Sequence, residues 1–309
     1  MEWRGFEFVA RVASRFRRRV SRRRSPSAAG LELREPRELR TFSRETKVKA
    51  FKEGVASLEA YGSANSERQS LASFADRVGA MFWYHTIELP DGVVTKGTFD
   101  HRPLMPHYGL PDDLSGQSVL DVGTWDGYWA FELERRGAAS VKALDLDWFS
   151  RADYPPEYRG HLDEIGFDYK LGEGFEVARR ALGSSVQRIE GNVYDLDPEQ
   201  IGTFDFVHVG DVLLHLEQPS RALNRIRGIT SGLAMIIMAF DPDLDTAQGH
   251  VVRYLGGYDE TTWWIPSLDA SAQLILDAGF SDVRLHNTYR LHPTGGGVGD
   301  WRAVFFASP

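Results

Sequence analysis

The sequence predicts an α/β fold in which a mostly parallel sheet is flanked by helices, and three observations predict it. The first is the stretch SVLDVGTWDGYWAFE, from Ser118 to Glu132. There an apolar run leads through Asp121 into a turn carrying Gly123 and Gly127, and Tyr128, Phe131 and Leu133 then recur at helical spacing. A buried strand, a tight turn and a helix N-terminus in that order open a nucleotide-binding α/β unit. The second is Asp145, eighteen residues past Gly127 and just after the apolar run Val141–Leu144, where a carboxylate can accept both hydroxyls of a ribose. The third is the alternation of strand and helix signals over the rest of the chain.

Taken in order, residues 1–30 are a basic tail expected to be disordered. They hold nine arginines against Glu2 and Glu7, and Phe6, Val9, Val12, Phe16 and Val20 recur at helical spacing before a Pro/Ser/Ala/Gly-rich linker. Residues 31–110 read as a helical and hairpin cover. Val48, Phe51, Val55, Leu58 and Tyr61 make one stripe, and Leu71, Phe74 and Val78 another. Met81 to Pro103 has turn chemistry at Pro90-Asp91-Gly92 between two β-prone runs, the signature of a hairpin. Its Phe82, Trp83, Tyr84 and His85 either flap over a ligand or plug the core.

The main domain spans 111–309. Strands are expected at 119–122, 141–144, 186–189, 204–209 and 233–240, with helices at about 127–136, 175–182, 219–229 and 271–278. The last helix stops at Gly279. Arg151 to Gly174 is too long for an ordinary connection and reads as a lid or a surface insertion. Val283–His286 and Ala303–Ala307 suit a closing hairpin.

The totals exclude several classes. No apolar run approaches the roughly 20 residues of a membrane span, so stable membrane insertion is not expected. The absence of cysteine removes disulfides and thiolate chemistry. A cytoplasmic protein is the expectation. The net charge of −8 conceals an acidic body: beyond residue 30 the chain holds 27 basic and 42 acidic side chains.

The turn itself discriminates among cofactors. Dinucleotide binders use G-x-G-x-x-G, whose second glycine lets backbone touch a pyrophosphate. Here that position is Trp125 and no third glycine follows in register. An indole would crowd a pyrophosphate, which disfavours an NAD-dependent oxidoreductase. A ribose with an amino-acid tail and no phosphate fits better.

DVGTWDG, the acid ending strand two, and EGNVYDL after strand three together resemble class I S-adenosylmethionine-dependent methyltransferases. The resemblance runs from about Pro111 to the C-terminus. It implies a Rossmann-like, seven-stranded, mostly parallel sheet with the last strand antiparallel. It also implies that Gly123 and Gly127 approach the methionine part of S-adenosyl-L-methionine, with Asp121 supporting the turn. Asp145 would hold the ribose, and Asn192 and Val193 would border the adenine with Asp195 just beyond. Thr124, Trp125, Leu146 and Gly210 complete the expected cofactor-binding set. Within that superfamily WYHTIELPDG, GDVLLHLEQP and WWIPS…LILDAGFSDV resemble the bacterial group related to tRNA wobble-uridine methyl- and carboxymethyltransferases. Two positions depart from that group. Trp125 replaces part of the glycine-rich turn, and Leu214 stands where carboxymethyl-transferring members carry a tyrosine near the cofactor's extra carboxylate. Plain S-adenosylmethionine is therefore expected.

Methyl transfer mainly positions a nucleophile and excludes water, and a hydroxyl acceptor adds the need for a base. His215, after strand four, is the expected base, with Asp211 one helical turn earlier to orient it; His85, His101 and His107 are further candidates. Asp241, Asp243 and Asp245 could suggest magnesium but read as a solvated loop, so no metal is expected. Trp83, Tyr84, Trp263, Trp264 and Trp301 could wall an aromatic acceptor pocket. A nucleic-acid groove needs a basic stripe, and outside the tail the basic residues are interleaved with acids. A small O- or N-nucleophile is the expected acceptor and tRNA the alternative.

Overall fold

The computed structural model describes residues 73–245, 249–256, 261–297 and 299–309. The basic tail, the stripe from Val48 to Tyr61 and Leu71 lie outside them, while Phe74 and Val78 of the second stripe are described and share one short helix with Val78 buried. The cover begins with α1 (Phe74–Gly79), capped by the Ser73 hydroxyl, then β1 (Trp83–His85), β2 (Gly97–Phe99) and the short α2 (Met105–Tyr108). The main unit follows with β3 (Ser118–Val122), α3 (Tyr128–Arg135), β4 (Ser140–Asp145), α4 (Pro156–Glu164), α5 (Glu173–Leu182) and β5 (Gln187–Glu190). Next come α6 (Pro198–Ile201), β6 (Phe204–Gly210), α7 (Pro219–Ile229) and β7 (Thr230–Ala239). The chain ends with β8 (Val252–Tyr254), β9 (Trp264–Pro266), α8 (Leu268–Asp277), β10 (Asp282–Leu291) and β11 (Asp300–Ser308).

Seven of these strands form one sheet in the order β10-β11-β7-β6-β3-β4-β5. The five from β7 to β5 are parallel, and β11 runs antiparallel between β7 and β10. The expected Rossmann-like sheet is present. Its central strands are buried on both faces, which explains their unbroken apolar runs. Along β7, Met235 and Ile237 enter a core with Trp83, Tyr108, Trp129 and Phe175, while Ala234, Ile236 and Met238 face Leu120, Leu223, Ile226 and Phe305. Both final strands are longer than expected; β10 is an edge strand whose exposed polar positions break the apolar run.

The cover departs from a simple hairpin. The turn forms where expected, with Asp91 at φ 61 and an antiparallel bridge between Glu88 and Val94. Beyond it, β1 and β2 pair in parallel, Trp83 with Gly97 and His85 with Phe99. The chain recrosses so closely that a Cβ on Gly97 would lie 2.1 Å from the His85 carbonyl carbon and 2.2 Å from the Thr86 nitrogen. Both are backbone atoms and cannot step aside. Gly97→Ala is expected to destabilise the protein by about 3 kcal/mol, an overpacking cost, read as a lower urea midpoint at unchanged slope.

The long segment after β4 is an insertion with its own small core. Phe149, Tyr154, Tyr158, Leu162, Phe167 and Leu171 bury one another, and Trp125 packs against them. The predicted tight turn into α3 is also present. Gly127 sits at φ 91, and a side chain there would run into the rings of Phe131 and Phe175.

Candidate functional site

The expected cofactor residues lie along the carboxyl edge of the parallel strands, where open α/β sheets bind ligands. Trp125 adopts φ 51, a left-handed conformation that is strained for a bulky residue. The bend aims its N–H at Asp145, which accepts that bond on Oδ2 at 2.6 Å and another from the Leu146 N–H on Oδ1 at 2.7 Å. Each oxygen keeps a lone pair, so two acceptors stand side by side on a half-buried carboxylate. Burial lifts this carboxyl to about 6, and the two N–H donors oppose a larger rise.

Beneath the turn Asp121 is fully buried and paired across to β6, where His208 Nδ1 lies 2.7 Å from its Oδ1. Its Oδ2 and the buried Thr124 hydroxyl have no partner. Asn192 caps the short turn after β5 by accepting the Tyr194 N–H at 3.0 Å, Val193 is core, Asp195 is exposed, and Gly210 ends β6 half-buried. Of the expected set, Asp121, Gly123, Thr124, Trp125, Gly127, Asp145 and Leu146 converge. Asn192 and Val193 stand one strand further out.

Asp126, absent from the expected set, fastens the cover to the turn. Its Oδ2 accepts the N–H groups of Tyr84 and His85, both at 2.8 Å, and its Oδ1 takes the His85 Nδ1. A carboxylate only accepts, so His85 donates from Nδ1. The Trp125 ring meets Tyr84 (centroids 5.3 Å apart) and the edges of Phe82 and Phe149. Turn, cover and insertion therefore share one aromatic contact.

The expected Asp211–His215 pairing does not form. Asp211, itself at φ 54, bonds through Oδ2 to Arg302 Nε at 2.5 Å, and His215 Nδ1 lies 3.1 Å from the Thr261 carbonyl. The reason is position: Arg302 on β11 faces the end of β7 in register with Ala239. The Thr261 carbonyl accepts, so it orients His215 as a carboxylate would and leaves Nε2 with its lone pair. Burial lowers the His215 pKa below its ordinary value, so the ring is neutral at pH 7. His101 is buried, bonded to the Tyr108 hydroxyl at 2.6 Å, and also held below its ordinary range by burial, while His107 is exposed.

Of the aromatic residues expected to wall an acceptor, Trp83 is core, its indole N–H given to Val78, and Trp301 packs on Phe240. Tyr84 reaches the site, and Trp263 reaches the rim. That rim gathers on Asp153 in the insertion. Its Oδ2 accepts from the Tyr194 hydroxyl at 2.6 Å and from the Glu217 N–H at 2.7 Å, and its carbonyl accepts the Trp263 indole N–H. No cluster of three or more potential metal ligands occurs among the described residues. Asp241 pairs with Arg253 at 2.6 Å, and Asp245 accepts the Leu268 N–H. Among the described residues no helix is long and apolar enough to cross a membrane.

Residues 102–285 match the model of a family described as a methyltransferase domain. The chain is 25% identical over 173 residues to the tRNA U34 carboxymethyltransferase of Ectopseudomonas mendocina (strain ymp), covering 56% of this chain and 47% of that one. It is 25% identical over 207 residues to the enzyme of the same name from Actinobacillus pleuropneumoniae serotype 3 (strain JL03), covering 65% and 56%. The chain thus spans about half the length of the curated relatives it matches. Among solved structures, the N-terminal domain of EvdMO1 with SAH bound superposes at a TM-score of 0.53 and 14% identity, over 79% of this chain and 95% of that one. That likeness is one of fold.

Proposed function

The chain belongs to the methyltransferase-domain family, and from that premise we propose that it transfers the methyl group of S-adenosylmethionine to an oxygen or nitrogen of a small molecule. The observation that carries the cofactor is Asp145, two adjacent acceptors turned toward a glycine bend, which suits the vicinal hydroxyls of a ribose. The buried, partnerless Thr124 hydroxyl and Asp121 oxygen add polar capacity under the same bend. When bound, S-adenosylmethionine supplies an electrophilic methyl on a sulfonium. This chain's residues hold the ribose, keep the cover against the turn through Asp126, and present the His215 ring in its neutral form. His215, oriented by Thr261, is the base that receives the acceptor's proton; His85, oriented by Asp126, is the second imidazole beside the turn.

His215→Asn is expected to lower transfer about 10²- to 10⁴-fold, the usual share of a general base, with S-adenosylmethionine affinity unchanged by calorimetry. The wild-type rate should fall as pH drops and the ring protonates. Unchanged transfer by the variant removes His215 from the chemistry.

Identity to the tRNA U34 enzymes favours a second reading, with tRNA as acceptor. The acidic body opposes it, because neutralising several phosphates needs clustered lysine or arginine. Labelled S-adenosylmethionine incubated separately with total tRNA and with a metabolite extract divides the two. Label in RNA at low salt that depends on Arg17–Arg24 would defeat the small-molecule reading.

A further inference from the structure

The pairing of Asp211 with Arg302 leaves one buried oxygen unused. Asp211 Oδ2 is bonded to the guanidinium, but Oδ1 is buried with no partner. A buried acceptor left unmade is costly and marks a position where a donor belongs. The place is informative. Asp145 ends β4 and Asp211 follows β6, with β3 between them, two strand spacings or about 10 Å. Arg302, on β11, lies two strands beyond β6, while the adenine-side residues follow β5 at the opposite edge. Val212 seats against Gly123, so Asp211 stands beside the turn on its far side from the adenine.

The surroundings are aromatic and already balanced in charge. The Tyr84 phenol is pushed above its ordinary range, first by burial and then by the Asp211 carboxylate nearby, and Tyr289 lies in the same field. Arg302 is buried, which works against its charge, and Asp211 keeps it protonated. The guanidinium is therefore answered, and what remains on offer is a single acceptor oxygen among rings.

We infer that the Asp211–Arg302 pair is the acceptor-recognition site, and that it selects an uncharged, phenol-type hydroxyl over carboxylates and phosphates. The acceptor's O–H donates to Asp211 Oδ1, which turns an oxygen lone pair toward the methyl. The C–O bond forms as the S–CH₃ bond breaks, its electron pair staying on sulfur, and the proton passes along that hydrogen bond to Asp211 Oδ1 and from there to His215, which lies in the field of Asp211. This rests on the methyltransferase reading, which S-adenosylhomocysteine affinity tests separately.

The experiment titrates phenol and benzoate into the protein loaded with S-adenosylhomocysteine, by saturation-transfer NMR, for wild type, Asp211→Asn and Arg302→Lys. Asparagine tolerates the left-handed backbone at this position, so Asp211→Asn should fold. Wild type is expected to bind phenol and reject benzoate. Asp211→Asn should lose phenol about tenfold or more, as for a hydrogen bond to a charged group. It should also gain benzoate, because Arg302 is then unanswered, with S-adenosylhomocysteine affinity kept within about twofold. Arg302→Lys should weaken phenol binding without admitting benzoate. Wild type preferring benzoate, binding neither probe, or keeping phenol after Asp211→Asn would overturn the inference. Failure to bind S-adenosylhomocysteine would instead remove the reading beneath it.

Discussion

Asp126→Ala is expected to lower stability by about 3–5 kcal/mol, the cost of leaving three buried N–H donors without an acceptor. In a protein of this size that is a fall of about 10 °C in the thermal midpoint. The side chain is 2% exposed and serves three donors at once: the backbone N–H groups of Tyr84 and His85, and the His85 ring. Alanine strands all three. Asp126→Asn should cost less, since its carbonyl oxygen still accepts the two backbone donors while its amide faces His85 Nδ1 and reverses that ring's tautomer. Differential scanning calorimetry orders the three proteins. A midpoint for Asp126→Ala within a degree of wild type would mean that the cover is held by packing alone.

Asp145→Ala is expected to weaken S-adenosylmethionine binding about 10- to 100-fold, the worth of hydrogen bonds to a charged acceptor. It is also expected to leave the Trp125 N–H without its partner, loosening the bend itself. The pH dependence has a definite sign. With the carboxyl at about 6 in the free protein, protonation below that value removes acceptor capacity, so affinity falls as pH drops from 7 to 5. Folding responds oppositely. Burial raises the native value above the unfolded one near 3.9, so the native state binds more protons between them. This group's contribution to stability is greatest below the unfolded value and is lost as pH rises through about 6. Calorimetric titrations between pH 5 and 8 test the first statement; a flat affinity would show that the ribose does not rest on this carboxylate.

How far these features are legible without coordinates depends on how local they are. The parallel strands read directly from apolar runs, because burial on both faces leaves no polar alternation. Asp145 is legible because a strand end and a fixed interval from the glycine turn locate it. The Pro90–Gly92 turn is equally local. The parallel course of β1 and β2 is not, since it follows from a close crossing at Gly97 that no propensity encodes. Asp126 with His85, Asp211 with Arg302, and His215 with Thr261 lie 41, 91 and 46 residues apart in the chain. One-dimensional spacing suggested Asp211 for His215 because they share a turn of chain. The folded sheet instead offers Asp211 a fully charged neighbour, and the stronger ion pair wins.

The knot at Asp153 bears on how this molecule works as a moving object. Segments following β5, β6 and β8 all bond to that residue, which itself belongs to the excursion after β4. One side chain and its own carbonyl therefore tie four segments together, so displacing any one of them strains its bonds to the others.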